Sequence, residues 1–500
     1  MTLTTWLPRA HRTHRAPAGP LDRRGRTRVL AICCLSLFLV GVDNTIVNLA
    51  LPAIQRDLHV GVSGLQWVVA GYTVVLATLL LPAGAAGDRF GRRRTFQTGL
   101  VLFTLGSLLC SVAPGLGTLV AARMAQAVGG SMLNPVAMSI ITNTFTEPRE
   151  RARAIGVWGA VAGVSLALGP LLGGLLVDTV GWRGVFWATV PVGLAALALC
   201  ARYVPESRAE RARPLDPVGQ LLIVVLLGSL TYGVIEAPTA GWTAPQTLLC
   251  GAAALLAAAC FVPYELRNRA PVIDPRLLRS APFAGAAAIA VCGFAALGGF
   301  LLLNTLYLQD VRDYSPLHAG LLTLPLAVLA MVCSPFSGRL VATRGPRLPL
   351  IAAGAAMAAG TATLTGLTAG TPDWQLVVAY SLFGIGFGML NAPITTTAVS
   401  GMPRDRAGVA AAVASTSRQT GQLLGVTVLG SLATSAVRGP LHSGFAAASH
   451  VGWWVATGCA LTVLALGILT TGRWAGRSAA RVAQRLESVP TERAVDGGST

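Results

Sequence analysis

The chain has 500 residues, of which 53% are hydrophobic and only 12% charged, and its mean hydropathy is +0.63. Soluble domains carry about 25% charged residues, so this composition excludes a string of soluble domains and points to a membrane. A net charge of +18 would suggest a nucleic-acid partner in a soluble chain, so the placement of the charge has to be read first.

In chain order, the first apolar span runs from about 29 to 51, interrupted only by Asp43. Stretches without Asp, Glu, Lys or Arg follow at 58–87, 95–122, 124–146, 154–177, 184–201, 217–235, 237–264, 280–309, 314–338, 348–372, 374–403, 419–437 and 439–472, with Arg418 splitting the thirteenth span. Each suffices to cross a bilayer, which takes about 20 residues of helix. The segments are continuously apolar rather than alternating, which excludes a closed β-barrel and leaves helices to satisfy the backbone. The expectation is an all-α polytopic membrane protein of 14 transmembrane helices.

All 38 basic residues are Arg. With the N-terminus inside, inner segments hold 32 of them, outer loops hold four (Arg56, Arg183, Arg312 and Arg438), and Arg123 and Arg418 lie within spans. This is the positive-inside asymmetry: both termini are expected in the cytoplasm, with no basic patch left for nucleic acid. The Arg-rich start imitates a secretion signal, but its apolar run is too long and thirteen spans follow, so it is expected to stay as helix 1. The nine cysteines show no metal or redox spacing.

The best boundary is the charged segment Glu206 to Asp216, and a second polar linker runs from Glu265 to Arg279. The organisation expected is an Arg-rich N-terminus (1–28), a six-helix bundle (29–202), a linker with two inserted helices (203–282), a second six-helix bundle (283–472) and a tail (473–500), a pattern of six, two and six. The loop Gly84-Ala-Ala-Gly-Asp-Arg-Phe-Gly-Arg-Arg-Arg94 is echoed by Gly338-Arg-Leu-Val-Ala-Thr-Arg-Gly-Pro-Arg347 after helix 10. Such internal similarity is how many transporters are built.

Several motifs follow in order: Asp43-Asn-Thr-Ile-Val-Asn-Leu-Ala-Leu-Pro52, the Gly84 to Arg94 loop, Arg123-Met-Ala-Gln126, Gly169-Pro-Leu-Leu-Gly-Gly174, Trp182-Arg183, Tyr307-Leu-Gln309 with Tyr314-Ser-Pro316, and Arg406-Ala-Gly408 followed by Ser417-Arg-Gln-Thr-Gly421. Each is weak alone, but their order resembles the major facilitator superfamily, specifically its fourteen-helix drug:proton antiporter branch of the EmrB/QacA type, over about residues 29 to 472. The resemblance implies the major facilitator fold in a bacterial plasma membrane.

A carboxylate in mid-span costs about 2.5–3.5 kcal/mol on insertion scales, so Asp43 calls for a use or a partner. Counting about 1.5 Å per residue puts Asp43 and Arg123 at matching depths of a core about 30 Å thick. They read either as a static ion pair or as a proton-coupling pair that Arg123 controls by approach and withdrawal. Glu236 and Asp310 fall near the outer interface, each a solvated rim residue or a second proton site. Arg123 with Gln126 resembles the family's helix-4 motif, with Ala127 where Gly is usual. The loop carrying Gly84, Asp88, Arg89, Gly91 and Arg92 reads as positive-inside anchoring or, by the resemblance, as a cytoplasmic conformational latch. Gly169, Pro170, Gly173 and Gly174 resemble the antiporter motif of exporters, with Ser165 in place of one family Gly.

Uncharged polar groups in spans seek a wet or paired setting, which makes Asn44, Asn48, Gln126, Asn134, Asn304, Tyr307, Asn391 and Gln419 candidates for a substrate cavity. Arg418 faces no acid within its bundle's spans and reads as cavity-lining or packing. The His residues do not cluster, and without Lys no Gly-x-x-x-x-Gly-Lys nucleotide loop exists. An enzyme and ATP-driven transport are therefore disfavoured. The expectation is a monomeric proton-coupled antiporter, without cofactor, metal or nucleotide and with protons as coupling ion, that exports hydrophobic drug-like or antibiotic small molecules. The second reading is a proton-coupled transporter of a narrower solute such as an amino acid, siderophore or endogenous metabolite.

Overall fold

The structure, a computed structural model, describes residues 22–209, 216–268, 271–400, 407–437 and 441–487. Most of the N-terminal segment, the middle of the first linker, Arg406, Arg438 and the end of the tail lie outside the described residues.

The helices are α1 (Arg23–Leu58), α2 (Val62–Phe90), α3 (Arg92–Ser111), α4 (Leu116–Thr144), α5 (Pro148–Val180), α6 (Trp182–Tyr203), α7 (Pro217–Ala240), α8 (Pro245–Arg267), α9 (Ala281–Leu306), α10 (Pro316–Arg344), α11 (Arg347–Ala362), α12 (Asp373–Val399), α13 (Ala407–Leu424), α14 (Gly430–Ala436), α15 (Leu441–Leu469) and α16 (Arg473–Glu487). Ten helices among the described residues are long and apolar enough to cross a membrane. The ends follow local chemistry. Asp22 caps α1 by accepting from Gly25 N at 2.8 Å, Pro opens α5, α7, α8 and α10, where its missing N–H costs nothing, and Gly91, Gly181, Gly241 and Gly345 turn the chain at positive φ.

Three features depart from the apolar-run reading. Helix α1 continues through Arg56 to Leu58, so the supposed outer-loop Arg56 is helical. Segments Tyr307–Val311 and Gly425–Leu429 are π-helical turns, the second dividing α13 from α14. The short amphipathic α16, whose Ser478 donates to Arg279 O at 3.2 Å, lies beyond the last apolar run and was not expected.

Helices α1 to α6 pack among themselves, as do α9 to α15, and the two groups meet chiefly where α5 packs on α10 and α2 on α13. Helix α7 lies against α2 and α14, with α8 outside it. The starts of α1 and α5 and the end of α6 meet at one end of the bundle, where Arg26 pairs with Glu150 at 2.5 Å and Arg28 lies over Tyr203; α16 meets the start of α9 at the same end, called here the terminal end. At the opposite end the groups close: Leu317 N donates to Asp178 at 3.0 Å, and Gln309 to Leu49 O at 3.0 Å. Gln66 donates to Val426 O at 2.9 Å and Thr427 O at 3.0 Å, serving carbonyls of the π turn. Toward the terminal end, by contrast, Gly156 and Gly159 of α5 and Gly338 of α10 have no neighbour within 4 Å of where a Cβ would stand.

Candidate functional site

Five helices, α1, α2, α3, α4 and α6, contribute side chains or carbonyls around Asp43. Its Oδ2 accepts from Arg123 Nη1 at 2.7 Å and its Oδ1 from Gln126 Nε2 at 2.9 Å. Arg123 and Gln126, three residues apart, share one face of α4, where Arg123 Nη1 also donates to Gln126 Oε1 at 2.6 Å. Gln126 Nε2 donates further to Ser107 Oγ of α3 at 2.8 Å, and Arg123 Nε to Val68 O of α2 at 3.4 Å. The Tyr72 ring lies 4.1 Å from the guanidinium carbon and Phe186 at 5.8 Å, faces that favour a cation. Asp43 and Gln126 are fully buried and Arg123 is 1% exposed. A desolvated pair of this kind is held by strong charge-assisted bonds, and removing either partner leaves an uncompensated charge.

The glycines of α5 bring this network to the junction of the groups. A Cβ at Gly169 would fall on Thr45 Oγ1, one at Gly173 would stand 2.9 Å from Ile46 Cγ1, and one at Gly174 would stand 2.6 Å from Pro316 O and Leu317 Cα. Pro170 O is equally close to Gly320 of α10. The motif thus lets α5 touch α1, two and three residues beyond Asp43, and α10 of the other group. Ser165 faces Gly41 at 2.7 Å from its would-be Cβ, so the small residue missing from α5 is supplied by α1.

The Gly84 to Arg94 loop is organised by a group that sequence reasoning missed. Asp88 Oδ1 pairs with Arg92 Nη2 at 3.1 Å, while Glu206 accepts from Arg93 N at 3.1 Å and pairs with Arg94 at 3.7 Å. Arg92 N donates to Ser207 O at 2.9 Å. Gly91, at φ +110°, leaves room for the Glu206 carboxylate, which a Cβ would meet at 2.6 Å. Gly84 packs on Pro135 and Arg89 is exposed. Among the described residues, neither Asp88 nor Arg92 bonds to the opposite group.

Glu236 of α7 stands apart from the Asp43 network: its Oε1 accepts from Trp67 Nε1 at 2.7 Å, on the other side of α2. Asp310 is half-buried at the closed end. There Arg312 donates to Asp373 Oδ1 at 3.2 Å, to Tyr307 Oη at 3.4 Å and to Tyr314 Oη, and burial, aided by the acceptor Asp373, pushes the Tyr314 hydroxyl above the usual phenol pKa. The Tyr307 and Tyr314 motifs therefore staple α9, α10 and α12.

The polar candidates divide. Asn304 accepts from Tyr380 Oη and Tyr307 donates to Thr368 O at 2.7 Å, bonds that close the second group's interior. Asn44 donates to Val40 O at 3.2 Å and Asn48 to Asn44 O at 2.9 Å. Among the described residues, Asn48 Oδ1, Asn134 Oδ1 and Gln419 Oε1 have no hydrogen-bond partner. Arg418 is half-buried, with Nη2 donating to Thr395 Oγ1 at 2.6 Å and to Asn391 O at 3.5 Å, and Nη1 to Ser415 Oγ at 3.3 Å.

The Major Facilitator Superfamily profile matches residues 33–426. The chain is 41% identical over 409 residues to the Multidrug resistance protein Stp of Mycobacterium tuberculosis, covering 81% of this chain and 76% of that one. It is 37% identical over 426 residues to the Tetracenomycin C resistance and export protein of Streptomyces glaucescens, with 84% and 78% covered. With the Methylenomycin A resistance protein of Streptomyces coelicolor, identity is 33% over 434 residues, with 86% and 90% covered. Among solved structures, a bacterial homolog to the human lysosomal transporter Spinster, inward-facing and unoccupied, aligns at TM-score 0.61 and 18% identity over 92% of this chain and 99% of that one. A POT family transporter in complex with 5-aminolevulinic acid aligns at TM-score 0.67 and 15% identity, with 90% and 97% covered. The fold is thereby common to distant transporters, and the family profile and the curated relatives go further: this chain is a multi-pass membrane protein that belongs to the Major Facilitator Superfamily.

Proposed function

We propose that the chain is a proton-coupled antiporter of the fourteen-helix EmrB/QacA type, exporting hydrophobic antibiotic-like compounds from the cytoplasm. The relatives named for multidrug, tetracenomycin C and methylenomycin A resistance support the export reading. The fourteen crossings are α1 to α12, the pair α13 and α14 taken as one, and α15, grouped as six, two and six. The terminal end faces the cytoplasm, as the Arg asymmetry favours, so the conformation described is open inward.

The observation that carries the mechanism is the Asp43 carboxylate with both oxygens occupied, by Arg123 at 2.7 Å and Gln126 at 2.9 Å. A proton taken by Asp43 neutralises it and weakens its hold on Arg123. The pair therefore works as a two-state element whose protonation biases one packing of α1 against α4 and, through the α5 glycines, of one bundle against the other. Protons are the coupling ion and no cofactor is required. Drug binding from the cytoplasmic side and proton entry from outside favour opposite states, which is the requirement for exchange.

The test is efflux of a panel of dyes and antibiotics from cells expressing the chain, with and without a protonophore. Protonophore-sensitive export of several unrelated apolar compounds is expected. Export confined to one amino acid, siderophore or metabolite would select the narrower reading, and export unaffected by the protonophore would remove the coupling.

A further inference from the structure

Among the described residues, the second bundle holds a cation, Arg418, with no acidic partner. Residues 281–472 hold four acids, Asp310, Asp313, Asp373 and Asp405. Thr395, which Arg418 contacts at 2.6 Å, lies 22 residues along α12 from Asp373, about 33 Å of helix rise, and Asp310 and Asp313 share that distant closed end. Arg418 in turn stands about 16 Å of rise above Ala407, the first described residue after Asp405. No ion pair among the described residues involves Arg418. Its partners are neutral oxygens of Thr395, Ser415 and Asn391, and its Nε is buried without an acceptor.

A guanidinium presents five N–H donors in a rigid fork that fits a carboxylate bidentately. Holding it in a membrane interior costs several kcal/mol unless it is paired or hydrated. Asp43 shows the opposite solution in the first bundle, a charge neutralised within the protein. Arg418 of α13 reaches across to α12, and Gln419 beside it carries another oxygen without a partner among the described residues.

Resting on the export reading above, we propose that Arg418 is the substrate subsite for an anionic oxygen, so that the preferred cargo is an apolar molecule bearing one carboxylate. The substrate completes the ion pair while bound and carries its negative charge away on release, and the empty site returns to its neutral partners.

The test uses the purified full-length chain and two probes of one shape, 1-pyrenebutyrate and its neutral carboxamide, with binding read by quenching of tryptophan emission. The acid is expected to bind at least tenfold more tightly than the amide. Arg418→Gln should abolish that difference while leaving amide binding unchanged, and Arg418→Lys should keep part of it, a guard against loss through misfolding. Equal binding of acid and amide by the unaltered protein, absence of binding by both, or equal weakening of both by Arg418→Gln overturns the proposal. Protonophore-sensitive efflux of neutral Nile red, measured in parallel, separates the two readings: if it persists without an acid preference, only the subsite falls.

Discussion

Gln126 and Asp43 are joined at 2.9 Å through Nε2 and Oδ1, and the same Gln accepts from Arg123 at 2.6 Å. The amide thus bonds to both members of the ion pair. Losing a hydrogen bond to a charged group costs about 1.5–3 kcal/mol, so Gln126→Ala should slow proton-driven efflux by about 10- to 150-fold, read as initial rates in inverted vesicles. Wild-type rates would show that the amide does not govern the pair.

Asp43→Asn keeps the shape of the side chain and loses its charge. Vesicles carrying it should show no efflux driven by a pH gradient while still binding substrate, measured by equilibrium dialysis with a labelled drug. Full, protonophore-sensitive efflux would move the proton to another carboxyl, with Glu236 the next to replace.

Asp88→Asn and Arg92→Ala are expected to impair turnover while leaving the protein folded and inserted, because they alter a conformational equilibrium by about 1–3 kcal/mol. Glu206→Ala should add to the effect, since it removes the acceptor of Arg93 N and the partner of Arg94. Normal transport in all three, at equal membrane abundance, would reduce the loop to anchoring.

Gly174→Ala places a methyl 2.6 Å from Pro316 O, and overpacking of this kind costs about 1–3 kcal/mol. The closed end should open more often, so that a cysteine at Leu49, buried at that end, labels faster from that side on a cysteine-free background, by at least threefold. Unchanged labelling would mean that α5 and α10 yield elsewhere.

In intact cells, cysteines at Ala240 and Ala369 should react with an impermeant maleimide, and those at Ala342 and Gly476 only after lysis. Reaction at Gly476 from outside would reverse the orientation and the direction of export with it.

Much of this arrangement was legible because charge is scarce. With so few ionisable groups inside spans, counting helix rise sufficed to set Asp43 level with Arg123, whereas Gln126 reads only as part of its motif and as a cavity candidate, and nothing in the sequence signals its bond to Asp43. Glu206 escaped because it sits in a charged segment that reads as linker, and only its approach to Gly91 reveals it as part of the loop. Gln66 escaped for another reason: a lone amide near a span's end carries no signal until the carbonyl it serves, on a helix remote in sequence, is known; Gln309 stands out within its motif, but the Leu49 carbonyl it serves does not. Asn304 and Tyr307 looked like cavity groups because composition cannot tell a polar side chain that faces water from one bonded to a neighbouring helix.

The inserted helices make the two seams between bundles unequal. Helix α7 lies along α2 and reaches α14, where Ser431 Oγ donates to Val234 O at 2.8 Å, and Trp67 ties α2 to Glu236 at 2.7 Å. That seam is roofed on its lipid side, while neither α7 nor α8 packs along α5 or α10. On the orientation and export reading proposed above, a hydrophobic solute dissolved in the bilayer would meet one sealed flank and one bare flank, with sideways entry from the cytoplasmic leaflet confined to the side where α5 and α10 part.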